Sequence, residues 1–336
     1  MTTTTTTLQP IMELMSETTV RTEAVPDGGG DGNDSPDGGG DGNDSPDGNN
    51  PGGGVEPRPY PEYLTADDAG EVSVAYADFE AIQTAGGEFD NLIEGSEDPM
   101  LLLPAEATRL AVTGSTVLDT LGLGPLVGDQ ESDLESEVDA LLLVGGTFVA
   151  LGTVAPGEIS ERLQQGTDQR APFGPGEETG PYTVYETTGD RTTTVAVSST
   201  DIVVANDRSS VERTLGAVQG ERERATEAIE AFNWVLGEID DPDVVFAGHG
   251  TSPESPEDDS SANALSDATS FVAAHTFSDD RLSAEVAAVY PSTEALEGAT
   301  ERLETAFGSD TQDTLFDFGT DRVSVTGIYR PGAGGE

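Results

Sequence analysis

Two histidines are the residues whose chemistry is easiest to name. His249 stands in Gly248-His249-Gly250, where a flexible backbone could present an imidazole to a substrate or a metal. His275 alternates within VAAHTF, the position of a side chain on one face of a strand. Brought together with one carboxylate, they would make a two-His-one-carboxylate centre. Such a centre gives one reading, a hydrolase or metal-dependent enzyme using His249 and nearby acids. The acid runs 238–243 and 257–259 supply candidate general acid/base pairs. In a chain with 65 Asp and Glu, however, neighbouring acids arise without any catalytic cause. No nucleophile elbow, zinc-binding H-E-x-x-H or dinucleotide-binding glycine fingerprint is present. The residues therefore assign no cofactor and no catalytic set beyond His249. The metal candidates stop at His249 and His275.

Composition removes other chemistries. All 14 basic residues are Arg, so there is no Lys for a Walker-A loop or a Schiff base. No Cys is available for disulfides, thiolate metal sites or a thiol nucleophile. Without a basic cluster, a nucleic-acid backbone would find no complementary charge. The formal net charge is −51. Residues 1–57 hold only 11 of the acids, so the excess runs through the body of the chain. Self-repulsion on that scale strains a fold in dilute buffer. In roughly molar salt the screening length falls to about 3 Å and the strain fades. A halophilic setting follows as the expectation.

The elements that must position these residues begin after a long lead. Residues 1–57 read as a disordered tether: six consecutive Thr, then PDGGGDGNDS at 26–35 repeated at 36–45. The repeat is like a calcium-binding β-roll, but Pro36 and Pro46 fall where the inward apolar residue belongs. No secretory signal opens the chain as given, so a cytoplasmic place is the default, and the cell surface if the start is misassigned. Residues 58–331 read as an acidic α+β domain, divisible into halves at about 58–220 and 221–331. A disordered tail covers 332–336.

Ala140 to Gly157 is 18 residues without a charge, long enough for a membrane span. Gly145-Gly146 between Leu- and Val-rich runs instead marks a tight hairpin of central strands, with Pro156 opening a helix. No transmembrane segment is expected. Further strands are expected near 71–76, 182–187, 193–198, 202–205, 244–247, 270–276, 282–290 and 322–330. Helices are expected over 105–121, from Ser209 (by the Ser209-x-x-Glu212 capping box), over 225–236, and from Ser292 to Gly308. Residues 250–267 read as a disordered acidic loop. Strands outnumber helices and are joined by short turns, which predicts an α+β fold with mainly antiparallel sheet and packed helices. Residues 138–205 and 270–330 share the order strand, strand, Pro, helix, strand, which suggests a duplicated unit building two halves or one continuous sheet.

The Asp/Gly-rich tether, the absent Lys and the α+β body resemble the uncharacterised acidic proteins of haloarchaea, many of them similar to surface lipoproteins. In those, a twin-Arg signal and a lipobox Cys precede a GGGDG tether; neither stands here. The resemblance implies a non-enzymatic binding or cell-envelope protein with an envelope or protein partner, whose identity it leaves unknown.

Overall fold

The computed structural model describes residues 60–330, apart from 67–69, 86, 88–91, 94, 128–133, 168–170, 188–191, 251–261, 279–280 and 312. The chain divides into Met1–Arg58 and Pro59–Glu336, and the described residues all belong to the second unit. The expected tether, the tail at 332–336 and most of the acidic loop lie outside the described residues. Of that loop Gly250 and residues 262–267 are described, and Ala262–Leu265 form a 3-10 turn.

Among the described residues, twelve strands form one antiparallel sheet. They are β1 (Val72–Asp78), β2 (Glu137–Val144), β3 (Thr147–Thr153), β4 (Glu177–Thr179), β5 (Tyr182–Glu186), β6 (Thr194–Val197), β7 (Asp201–Ala205), β8 (Val244–His249), β9 (Ser270–Ser278), β10 (Arg281–Val289), β11 (Thr314–Phe318) and β12 (Arg322–Tyr329). The helices are α1 (Phe79–Ala85), α2 (Pro99–Thr120), α3 (Pro156–Gln165), α4 (Arg208–Val218), α5 (Ala225–Ala228), α6 (Glu230–Gly237) and α7 (Thr293–Ala306). The fold is α+β, as the strand spacing predicts.

The sheet order is β11-β12-β10-β9-β8-β1-β2-β3-β7-β6-β5-β4. Its middle is the antiparallel β1–β8 pair, with Ala75 opposite Phe246. Outward from that seam the order is β1, β2, β3, β7, β6 on one side and β8, β9, β10, β12, β11 on the other. Each half is thus a central strand, a hairpin, a helix (α3 or α7) and a second hairpin whose last strand returns beside the first hairpin. The β4–β5 hairpin is an addition to the first half. The expected duplication takes the form of one continuous sheet.

Both faces are covered, which explains why the central strands read as unbroken apolar runs. One face carries Val74, Tyr76, Leu142, Val149, Val203, Val245 and Val272, packed by Val211 and Leu215 of α4 and Phe232 and Val235 of α6. The other carries Phe271, Ala273, Val286 and Val325 under Met100, Leu101 and Leu103 of α2 and Leu296 and Leu303 of α7.

Local chemistry accounts for most boundaries. Gly145 and Gly146 have φ of 52° and 78°, the paired positive values of the tightest hairpin turn. Ser292 accepts the Ala295 N–H at 3.2 Å and caps α7. Three boundaries differ from expectation. The cap of α4 is Asp207, which accepts the Ser210 N–H at 2.9 Å, so the helix begins ahead of the Ser209 box. The helix expected over 225–236 breaks at Ile229, whose φ of −122° and ψ of 98° are extended, leaving α5 as a single turn whose start is capped by Glu227 accepting the Arg224 N–H at 3.2 Å. The helix expected from residue 105 starts at Pro99 instead, and Pro104 lies inside it. The reason for that last difference involves one of the two histidines.

Candidate functional site

A proline within a helix lacks the N–H that would bond to the carbonyl four residues earlier. For Pro104 that carbonyl belongs to Met100, buried at the start of α2. His275, on β9 and fully buried, donates Nε2–H to the Met100 oxygen at 2.9 Å. The imidazole supplies the bond that the proline cannot. Burial pushes the His275 pKa down to about 4, with the Met100 bond working in the opposite direction, so at neutral pH the ring is an uncharged donor.

His249 ends β8 and is half-buried, its pKa lowered by burial. Its Nδ1 lies 2.6 Å from Ser270 Oγ on the neighbouring strand. Ser270 is fully buried. The β8–β9 register pairs His249 with Ser270 at one end and Val244 with His275 at the other. Five residues of strand, roughly 17 Å, separate the two imidazoles. They also face opposite ways: His249 follows the alternation of Val245 and Ala247, and His275 that of Phe271 and Ala273. The structure does not bring the two histidines together. Among the described residues no three His, Asp or Glu side chains are grouped to hold a metal ion. Of the two acid runs, residues 257–259 lie outside the described residues. In the other, Asp243 accepts the Phe277 N–H at 2.7 Å and ties β9 to the turn before β8.

Two buried carboxylates escaped the sequence reading. Asp98 has no exposed surface. Its Oδ1 accepts the N–H groups of Met100 at 3.0 Å and Gly308 at 3.1 Å. Its Oδ2 accepts the Asp310 N–H at 3.3 Å and the Tyr329 hydroxyl at 2.7 Å. One side chain thus joins α2, the turn after α7 and β12. The signal that could have found it is Asp98-Pro99, a cap residue before a proline at the first helical position.

Asp201, 1% exposed, opens β7. Its Oδ2 accepts the hydroxyls of Tyr63 at 2.8 Å, Tyr182 at 3.1 Å and Thr200 at 3.1 Å. Its Oδ1 is buried without a partner. Burial pushes the Asp201 carboxyl up, against the lowering effect of those hydroxyls. Both phenols are pushed well above the usual tyrosine range, by burial first and then by Asp201. A lone acid ahead of the apolar run IVVA was the available signal.

A polar cleft of about 490 Å³ runs along α3, lined by Gly122, Glu158, Glu161, Arg162, Gln165, Gly166 and Thr167. Arg162 donates to the Gly122 carbonyl at 3.2 Å and Glu158 accepts from Ser136 at 3.0 Å, so its charged walls are tied into the fold. Trp234 lies against the core with the Arg322 guanidinium 5.2 Å from its ring centre. No described helix is long and apolar enough to cross a membrane.

No family model matches the chain, and no curated protein does. Solved structures of TP0453 are similar in part. Crystal form I has a TM-score of 0.38 at 9% identity, covering 83% of this chain and 94% of that one. Crystal form IV has a TM-score of 0.36 at 11% identity, covering 83% and 92%.

Proposed function

We propose that this is a salt-adapted, non-enzymatic binding protein of the cell envelope, a rigid body held at its place of work by the Gly/Asp-rich segment of residues 26–54. The observation that carries the reading is how the chemistry-bearing side chains are employed. His275 completes a helix, Asp98 joins three elements and Asp201 gathers two tyrosines, all turned away from solvent. What the body offers outward is acid. The charge also supports salt adaptation. Arg109, Arg208, Arg302, Arg322 and Arg330 each pair with Glu or Asp at the surface, and far more acids than these five cations can match are present. Exposed pairs of this kind contribute about 1 kcal/mol or less each, so they leave the general repulsion to be screened by salt. The test is the cell fraction and intact mass of the native protein, prepared in about 3 M salt to keep the acids screened. Recovery with the envelope is the expected result; recovery wholly in the soluble fraction removes the envelope from the reading.

One observation favours a second reading, hydrolysis at His249: the 2.6 Å bond to Ser270 Oγ. Covalent labelling of Ser270 by a fluorophosphonate, lost in His249→Ala, would support it. No labelling of the folded native chain would end it.

A further inference from the structure

The two ends of the sheet differ in kind. At one end β4 is three residues long and includes Glu177 and Glu178, a short charged edge that discourages pairing. At the other end β11 is five residues, Thr314-Leu315-Phe316-Asp317-Phe318, with one acid. Leu315 is 71% exposed, the large apolar side chain left most open among the described residues. Phe316 and Phe318 lie on the opposite face, stacked with centroids 5.7 Å apart and planes within 2°.

The ladder fixes which backbone groups of β11 point outward. The Gly319 N–H bonds to the Arg322 carbonyl at 2.7 Å, and the Ile328 N–H to the Asp313 carbonyl at 3.3 Å. Alternation along an antiparallel pair then turns residues 315 and 317 toward β12. The N–H and C=O groups of Thr314, Phe316 and Phe318 face away from it, at the outer limit of the sheet formed by the described residues. Only another extended strand matches that row.

We infer that the occupant of this edge is β11 of a second copy, paired antiparallel about a two-fold axis at Phe316, so that two sheets join into one. Three features point to self-pairing. The outward residues are symmetric about Phe316, so Phe316 pairs with its own copy and Thr314 with Phe318 in both directions. On one face the two Phe316–Phe318 stacks then meet across the axis. On the other, each Leu315 sits opposite Asp317 and diagonal to the second Leu315, within reach of a long side chain. Of the two edges β11 carries the lower share of acid, one carboxylate in five residues against two in three for β4, so like-charged chains meet there at less electrostatic cost. The contact is isologous and uses up both edges, so it closes at a dimer. The two Asp317 carboxylates are also diagonal neighbours, so salt strengthens the pairing.

The experiment is sedimentation equilibrium of the full chain in about 3 M and about 1 M KCl, conditions that differ in screening, with light scattering as a second measure of mass. The native chain is expected at twice the monomer mass, dissociating more readily in the lower salt. Leu315→Glu, at an exposed position, is expected to be monomeric with an unchanged melting temperature. Because the chain contains no Cys, Leu315→Cys combined with Asp317→Cys is expected to give an oxidised, covalent dimer, since these positions face each other across the axis. A native chain that stays monomeric at ~100 µM, a concentration that would populate even a weak dimer, overturns the inference. So does a dimer that survives Leu315→Glu and forms no crosslink.

Discussion

The two halves of the sheet share one topology but fasten their buried carboxylates differently. Asp98, which caps α2 and fastens it onto the second half, has both oxygens filled, three of its four donors being backbone N–H groups fixed by the helix and turn that carry them. In the first half Asp201 draws three hydroxyls onto one oxygen and leaves the other bare. Hydroxyls rotate to the nearest acceptor, whereas amides are aimed by the chain. The contrast teaches that saturation of a buried acid depends on donors that cannot turn away. It also shows where the halves are joined. The N-terminal turn of α2, which precedes β2 in the first half, is held by Asp98, Tyr329 and His275 against the second. Farther along, Gly114 brings α2 down onto Phe148 and Leu141 of the first.

The largest expected effect is therefore at that joint. Asp98→Ala strands three N–H groups and a phenol and is expected to cost about 3–5 kcal/mol, read by denaturant unfolding in high salt. A loss no greater than that of Asp201→Ala would break the comparison.

The next effect is a pH dependence carried by His275. Its folded pKa of about 4 lies below the usual histidine value near 6.5, so folding excludes a proton. Its contribution is complete above about pH 6.5 and is lost as pH falls toward 4, an amount of about 3 kcal/mol. His275→Gln keeps a donor near the Met100 carbonyl and removes the titration. Stability measured from pH 7 to 4 is expected to fall less steeply in the variant. Identical slopes would deny His275 this part.

Gly114→Ala should raise helix propensity by about 1 kcal/mol. An added methyl there would overlap the Phe148 ring, and overpacking costs about 1–3 kcal/mol. The expected outcome is a net loss in thermal stability. A gain would mean that α2 does not press on the first half as closely as the structure shows.

The smallest effect sharpens the contrast between the two carboxylates. Asp201 has a raised pKa, so its contribution is present below the ordinary aspartate range and lost as pH climbs through the folded value. Asp201→Asn is expected to be more stable than native near neutral pH, with the advantage shrinking as pH falls. This dependence opposes that of His275. An advantage that is constant with pH would contradict the assignment.

Much of the fold was legible because its signals are local. The Gly145-Gly146 turn, Pro156, and Ser292 with Gly308 each state a boundary in the two or three residues that make it. The repeated strand-strand-Pro-helix-strand order was visible for the same reason. What stayed hidden depends on distant partners. Pro104 reads as a helix stop until a histidine 171 residues away supplies the missing donor. Asp98 reads as a surface acid until Tyr329, 231 residues on, closes over it. The strand β11 was missed because TLFDF alternates over only five residues, with its apolar pair facing the core and Leu315 facing out. His275 alternates within an expected strand and His249 stands past the expected end of another at 247, where the structure extends β8 to include it; only the β8–β9 register sets the two apart.

The central claim is the proposal that this body is built for concentrated salt, its net charge of −51 screened there and only five described arginines, Arg109, Arg208, Arg302, Arg322 and Arg330, in ion pairs with surface acids. Far-UV circular dichroism of the full chain, followed while KCl is lowered from about 3 M to about 0.1 M, tests it most directly. The account predicts that helix and sheet signals hold at the upper end and loosen below about 1 M, as the screening length grows past the spacing of neighbouring carboxylates. A spectrum unchanged across the whole range would contradict it.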